Sequence, residues 1–374
     1  MDAHRSFSRT EFWAPHPRDV EGGNPREPLT TIYDGAAGVI WALDHLARQG
    51  IADRSIDFVP IFGDLGARNL AEVEPKGHGV EGLLIGRSGI LLLRYGLAPD
   101  RATADAIAAS VAANAGHPSQ EMLWGSPGTM HVALTMHERT GEARWAELFR
   151  ADADALLRTF VPAEEGACRL WTQDLWGRTQ QMIGAGHGFA GNACALIRGR
   201  ELLSSQTWAQ CADDIVETTR ATALREGSLA NWPPMLERTP HKLLVQWCHG
   251  APGIVTSLSR LPDARLDDLL AAGGELTWAA GPLTKGAGLC HGTAGNGYAF
   301  LKLFKRTNDR RWLDRARAFA MHAIAQSDTM ANEYNQRRRS LWTGDAGVAC
   351  YVASCLTGDD ALPNLDAETT APRT

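Results

Sequence analysis

The sequence predicts an all-α protein, a toroid of seven helical hairpins in an (α/α)7 arrangement, and three observations predict it. A Gly-x-x-Gly step recurs seven times at intervals of roughly 40 to 60 residues, each time running into an apolar segment of helical character. Amphipathic helical segments fill the intervals. Strand signals are sparse, with neither a sustained alternation nor an Asn-Gly hairpin.

The elements follow in chain order. Residues 1–30 are polar and carry Pro15, Pro17, Pro25 and Pro28, so they read as an extended lead-in. The repeat then fills residues 31–357 as one domain, and 358–374 reads as a flexible C-terminal tail. Its glycine steps are Gly35–Gly38, Gly86–Gly89, Gly125–Gly128, Gly188–Gly191, Gly250–Gly253, Gly292–Gly295 and Gly344–Gly347. Between them, Trp145, Leu148, Phe149, Leu156 and Phe160 recur at helical offsets, as do Trp312, Phe319, Met321 and Ile324. Each unit therefore reads as an outer amphipathic helix followed by an inner, more uniformly apolar helix opened by the glycines. Glycine permits a tight turn and close approach of one helix N-terminus to its neighbours. Seven such N-termini at one end of a ring predict a pit lined by backbone N–H groups. Irregular spacing, and chemistry confined to some units, favour a closed ring over an open solenoid.

Composition removes several function classes. With 44% hydrophobic and 21% charged residues, the chain has the make-up of a soluble protein with a large core. A net charge of -6 and the absence of a Lys/Arg block argue against nucleic-acid binding, and Arg337-Arg338-Arg339 reads as a solvated loop. Seven cysteines at irregular spacing do not form a secreted disulfide framework. The first residues begin no apolar signal region, Asp2 stands where myristoylation needs glycine, and no apolar run reaches the roughly 18 residues of a membrane span. The expected compartment is the cytoplasm.

The chemistry sits beside the glycines. Cys248 and Cys290 lie two positions before the first glycine of their steps, and His187, His249 and His291 lie one before. Thiolate and imidazole are side chains that zinc accepts readily. In a closed ring, equivalent positions of adjacent units face a common axis, so three separated stretches become one site. A four-ligand site that includes His249 is the alternative, disfavoured because adjacent residues at a helix start diverge in direction. The other cysteines, Cys168, Cys194, Cys211, Cys350 and Cys355, read as core residues, as does His131. Trp171, Trp176 and Arg178 lie in the long segment before His187 and are candidates for the rim of the pit, with Arg178 a candidate substrate contact.

Trp247-Cys248-His249-Gly250, Cys290-His291-Gly292 and Gly186-His187-Gly188, in this order and within the seven-fold glycine repeat, resemble the lanthionine synthetase C (LanC) family, which includes bacterial lanthipeptide cyclases and LanC-like proteins. The resemblance covers nearly the whole chain. It implies that Cys248, Cys290 and His291 bind Zn²⁺ and that His187 is the catalytic acid/base. Three protein ligands leave a fourth position for a substrate thiol, whose pKa the metal lowers. The family's third unit carries an aspartate four positions before its glycine step; this chain has Glu121, a longer carboxylate at a catalytic position. Cys248-His249 followed by Ala251-Pro252-Gly253 is closer to the glutathione-binding LanC-like branch, and Lys285 matches a lysine that contacts glutathione there.

The activity implied is zinc-dependent thioether formation, in which a cysteine thiol adds to a dehydroalanine or dehydrobutyrine residue. The thiol belongs to the same peptide in a lanthipeptide cyclase and to glutathione in a LanC-like protein. The resemblance also admits a non-catalytic zinc- and glutathione-binding adaptor. Implied partners are a dehydrated peptide or protein, glutathione, and a dehydratase or kinase.

Overall fold

All seven glycine steps open a helix. The computed structural model describes residues 3–20, 27–53, 55–76, 79–163, 168–236 and 243–366. Its thirteen α-helices are α1 (Ala36–Arg48), α2 (Phe62–Val73), α3 (Arg87–Leu97), α4 (Arg101–Asn114), α5 (Ser126–Thr140), α6 (Ala143–Arg158), α7 (Phe189–Arg198), α8 (Ser205–Ala221), α9 (Ala251–Leu258), α10 (Asp267–Ala280), α11 (Thr293–Thr307), α12 (Arg310–Tyr334) and α13 (Asp345–Thr357). The first glycine of each step is the N-cap of an odd-numbered helix. These helices form the inner ring: each packs on the next odd-numbered one, and α13 packs on α1. The even-numbered helices form the outer layer. Three of them carry side-chain caps, from Asp100, Ser204 and Asp309.

Closure is visible in the hydrogen bonds. The residue two before the first glycine of each unit donates its N–H to the carbonyl of its counterpart in the next unit. Tyr33 donates to Leu84 (2.9 Å), Leu84 to Leu123 (3.3 Å), Gly186 to Cys248 (3.3 Å), Cys248 to Cys290 (3.1 Å), Cys290 to Trp342 (2.9 Å) and Trp342 to Tyr33 (2.9 Å). The circle departs from this pattern at Leu123, whose N–H donates to Glu121 Oε2 at 3.0 Å instead.

The second glycine of every step is sterically required. A Cβ at Gly38, Gly89, Gly128, Gly191, Gly253, Gly295 or Gly347 would collide with the carbonyl oxygen six residues upstream. The loop before each inner helix thus curls back over the helix's first turn. Its carbonyls then cap the helix: Ala36 N–H donates to Leu29 O (2.9 Å), Arg87 to Val80 O (2.8 Å), Phe189 to Met182 O (2.9 Å) and Thr293 to Gly286 O (3.0 Å). In these four units the first-turn N–H group expected to line the pit is used by the chain's own loop, and in α9 the Ala251 N–H donates to Asn231 Oδ1 at 2.8 Å.

Six outer helices, not seven, are present among the described residues. In the seventh unit-to-unit gap, between α13 and α1, the described residues form no outer helix. The lead-in runs across this side: Arg68 of α2 lies over the Phe12 ring at 5.3 Å, His16 packs on Tyr334 at 4.7 Å, and Asp19 accepts from Arg338 Nε and Thr343 Oγ1, both at 2.9 Å. Arg338, expected in a solvated loop, is therefore a buried anchor. Residues 358–366, expected to begin a flexible tail, are also packed. Asp366 accepts from the buried Lys302 at 2.6 Å, and Arg198 Nη1 donates to Leu365 O at 2.9 Å. Residues 367–374 lie outside the described residues.

Three short antiparallel pairs were not predicted: β1 (Val161–Pro162) with β2 (Arg169–Leu170), β3 (Gln173–Leu175) with β4 (Arg178–Gln180), and β5 (Leu224–Glu226) with β6 (Leu229–Asn231). They occupy the two longest intervals between glycine steps. The β3–β4 turn holds Trp176 and Gly177 at φ 57 and 81, the two positive values of a type I′ hairpin. No helix among the described residues is long and apolar enough to cross a membrane.

Candidate functional site

The fold brings the predicted ligands together. The Cys248 and Cys290 sulfurs and one His291 nitrogen lie within 4.8 Å of one another, and both cysteines are buried. Tetrahedral zinc at bond lengths of about 2.3 Å to sulfur and about 2.0 Å to nitrogen would place its donors about 3.5–3.8 Å apart. Three donors all within 4.8 Å of one another are compatible with such an ion. Two sulfurs and one imidazole are also the donor chemistry zinc favours.

The two cysteines are hydrogen-bonded to each other. The hydrogen bond from Cys290 draws the Cys248 pKa well below the usual thiol range, against the opposing effect of burial, and His291 adds to the fall. The same hydrogen bond, together with burial, pushes Cys290 up. Each sulfur has a further hydrogen-bond partner that the sequence did not announce. Gln246 Nε2 donates to Cys248 Sγ at 3.0 Å. The Tyr33 hydroxyl bonds to Cys290, and burial raises its own pKa well above the usual phenol value, so it stays a donor.

His249 stays out of the cluster. Its Nδ1 is buried without a hydrogen-bond partner, and its ring centroid lies 6.0 Å from that of His187. Gly184 makes room for it, because a Cβ there would stand 2.8 Å from His249 Nδ1.

His187 has a different partner. Its Nδ1 lies 3.0 Å from Glu121 Oε2, and its ring stacks on Trp124 with centroids 5.6 Å apart. Burial alone would lower the His187 pKa, but the Glu121 hydrogen bond and charge reverse the sign and raise it above the usual 6.5. Glu121 is fully buried and also accepts from the N–H groups of Leu123 (3.0 Å), Trp124 (2.6 Å) and Gly125 (3.3 Å). Its carboxylate thus stands where the backbone circle opens, held by three backbone donors and aimed at the imidazole.

The remaining candidates separate. Lys285 is exposed, and its Nζ lies 3.3 Å from Gln246 Oε1. Trp176, half exposed at the β3–β4 turn, packs edge-on against Trp124 at 4.8 Å and so stands beside the His187 wall. Arg178 is exposed on β4. Trp171 is not at the rim: it is fully buried and stacks on Phe160 at 3.8 Å. His131 is buried beside Arg198, and burial lowers its pKa to about 3.

Comparison with known proteins places the chain. Residues 24–367 match the family described as Lanthionine synthetase C-like protein. A relative from Danio rerio, named Glutathione S-transferase LANCL1, is 27% identical over 268 residues, 66% of this chain and 62% of that protein. LanC-like protein GCL1 of Arabidopsis thaliana is 37% identical over 125 residues, 31% of this chain and 29% of the relative. These alignments span less than two thirds of either relative's length. The solved structure of nisin cyclase superposes with a TM-score of 0.65 at 15% identity, covering 87% of this chain and 88% of that one, which establishes a shared fold. From the match over most of its length, this chain belongs to the lanthionine synthetase C-like family.

Proposed function

We propose that the protein catalyses zinc-dependent thioether formation, adding a cysteine thiol across the double bond of a dehydroalanine or dehydrobutyrine residue. The observation that carries this reading is the convergence of Cys248, Cys290 and His291 beside a histidine that a buried carboxylate holds in place. The three ligands would hold the ion. Bound there, zinc would lower the pKa of an incoming thiol and leave one coordination position for its sulfur.

The chain's own residues supply the proton handling. Glu121 holds His187 Nδ1, which leaves Nε2 to serve as the reacting nitrogen. His187 Nε2 takes the thiol proton; the sulfur then bonds to the β-carbon while the C=C π pair moves to the α-carbon. The His187 imidazolium returns the proton to that carbon, so the addition is balanced. Glu121 does not touch the reacting atoms. It acts through His187 as a positioning residue, and the carboxylate one methylene longer than aspartate reaches it without loss of contact.

The thiol has two candidate sources, and Lys285 favours glutathione. Its exposed ammonium at the Gln246 side of the site is suited to a carboxylate of that tripeptide, and the Danio rerio relative carries a glutathione S-transferase name. The test uses zinc-loaded protein and a peptide with one cysteine and one dehydroalanine, with and without glutathione. Cyclisation leaves the peptide mass unchanged and removes its free thiol; glutathione addition raises the mass by one glutathione. Binding of zinc and glutathione without either product would establish the adaptor instead, and neither product nor binding would reject the reading.

A further inference from the structure

We propose that Gln246 is a positioning residue that fixes the Cys248 sulfur and couples it to Lys285 at the surface. The proposal rests on the zinc reading of the site and concerns a residue to which that reading assigns no role. Gln246 is 6% exposed, and its side chain bridges two groups of opposite character: Nε2 donates to Cys248 Sγ at 3.0 Å, and Oε1 accepts from Lys285 Nζ at 3.3 Å. An ammonium can only donate. Lys285 therefore fixes which end of the amide is oxygen, and the NH₂ end must face the sulfur. The backbone is fixed as well, because Gln246 N–H donates to His249 O (3.1 Å) and His249 N–H to Gln246 O (3.2 Å).

The register of the repeat supports a dedicated role. Gln246 stands four residues before its first glycine, the position Glu121 occupies in the third unit. In units one, three, five and seven this position is polar and hydrogen-bonds a residue one or two before a glycine step. Thr31 bonds Asp34 (2.6 Å), Glu121 bonds His187 (3.0 Å), Gln246 bonds Cys248 (3.0 Å) and Ser340 bonds Thr343 (2.6 Å). In units two, four and six it is glycine. A Cβ at Gly82 would stand 2.8 Å from Trp124 Cα, and one at Gly288 would stand 2.7 Å from the Thr343 carbonyl carbon. The odd units thus supply supporting side chains, and the even units supply the space in which neighbouring loops sit.

The consequence is a second-layer donor on a metal-binding sulfur. A hydrogen bond to a thiolate withdraws charge from it, and outer-layer partners of this kind typically tune metal affinity 10- to 100-fold. A carboxylate docking on Lys285 would also be felt at the sulfur through one amide.

The test compares wild type with Gln246→Met, which keeps the side-chain length and removes both polar ends, and with Lys285→Met at the exposed end. Zinc affinity is read by chelator competition. The sulfur-to-metal charge-transfer band is read after cobalt substitution. Gln246→Met is expected to bind one metal per chain, with a dissociation constant raised roughly 10- to 100-fold and the band moved to lower energy. Lys285→Met, which frees the amide to rotate, is expected to move the band the same way by less. Wild-type affinity and band in Gln246→Met overturn the assignment; should that variant fail to fold, an unmoved band in Lys285→Met overturns it. A wild type that takes up neither metal overturns the zinc reading itself, which separates the two failures.

Discussion

Replacing Glu121 by glutamine probes the proton-handling half of the site. Both carboxylate oxygens are committed: Oε2 to Leu123 N–H and His187 Nδ1, Oε1 to the N–H groups of Trp124 and Gly125. Glutamine has one oxygen, so in either orientation its NH₂ faces at least one backbone donor in a fully buried position. A buried N–H left without an acceptor costs about 1–3 kcal/mol, and the fold should lose that much. The orientation that keeps Trp124 and Gly125 presents NH₂ to His187 Nδ1, which must then become an acceptor. The loss of a charge-assisted hydrogen bond, about 1.5–3 kcal/mol, lowers the His187 pKa. The sign follows from the raised value in the native protein. Stability from this pair is fully present below the unfolded value near 6.5 and is lost as pH rises through the folded one, so Glu121→Gln should flatten that segment of the stability curve. NMR titration of the His187 ring protons reads the change directly. Identical titration in wild type and variant would refute the argument.

Other consequences follow from single residues. His187→Ala should keep its fold and full zinc content while turnover drops by roughly 10²–10⁴; metal analysis and product mass spectrometry check both, and wild-type turnover would remove its role. Asp366→Asn should leave the buried Lys302 ammonium with only Asp360, at 3.2 Å, as a charged partner and destabilise the protein by about 1.5–3 kcal/mol in denaturant titration. A midpoint within experimental error of wild type would show that the C-terminal segment does not anchor the ring. Asp152, 2% exposed with Oδ2 unpartnered, has its pKa raised by burial from the ordinary 3.8 to about 7. Its ionisation therefore costs the folded state progressively more from pH 4 towards 7. Asp152→Asn should be the more stable protein at pH 8, by a few kcal/mol at about 1.4 kcal/mol per pH unit, with the advantage fading towards pH 4. A gap that does not vary with pH would sink this reading.

The sequence reveals most where function is tied to short-range register. The glycine steps mark seven helix starts because the steric demand on the second glycine comes from a carbonyl only six residues away. Cys248, Cys290 and His291 are legible because their offsets from those glycines are constant. Gln246 and Tyr33 share the same register and could have been found by tabulating positions four and two before each step. Polar and aromatic residues there carry no metal-ligand signature, so neither stands out alone. What the sequence hides is long-range pairing. Asp19 anchors Arg338 from 319 residues away, and Asp366 meets Lys302 across 64, so the lead-in and C-terminal segment look loose and are packed. The hairpins escape because their strands are two or three residues long, too short for alternation to register. That no seventh outer helix occurs among the described residues is foreshadowed by the proline-rich lead-in, which has no helical pattern to supply one.

The central claim is that Cys248, Cys290 and His291 form one zinc site while the neighbouring His249 stands aside. Zinc content measured on purified wild type, Cys290→Ala and His249→Ala tests it most directly. The account predicts one zinc per chain in wild type, essentially none in Cys290→Ala and near-stoichiometric zinc in His249→Ala. Stoichiometric zinc in Cys290→Ala, or its loss in His249→Ala, would contradict it.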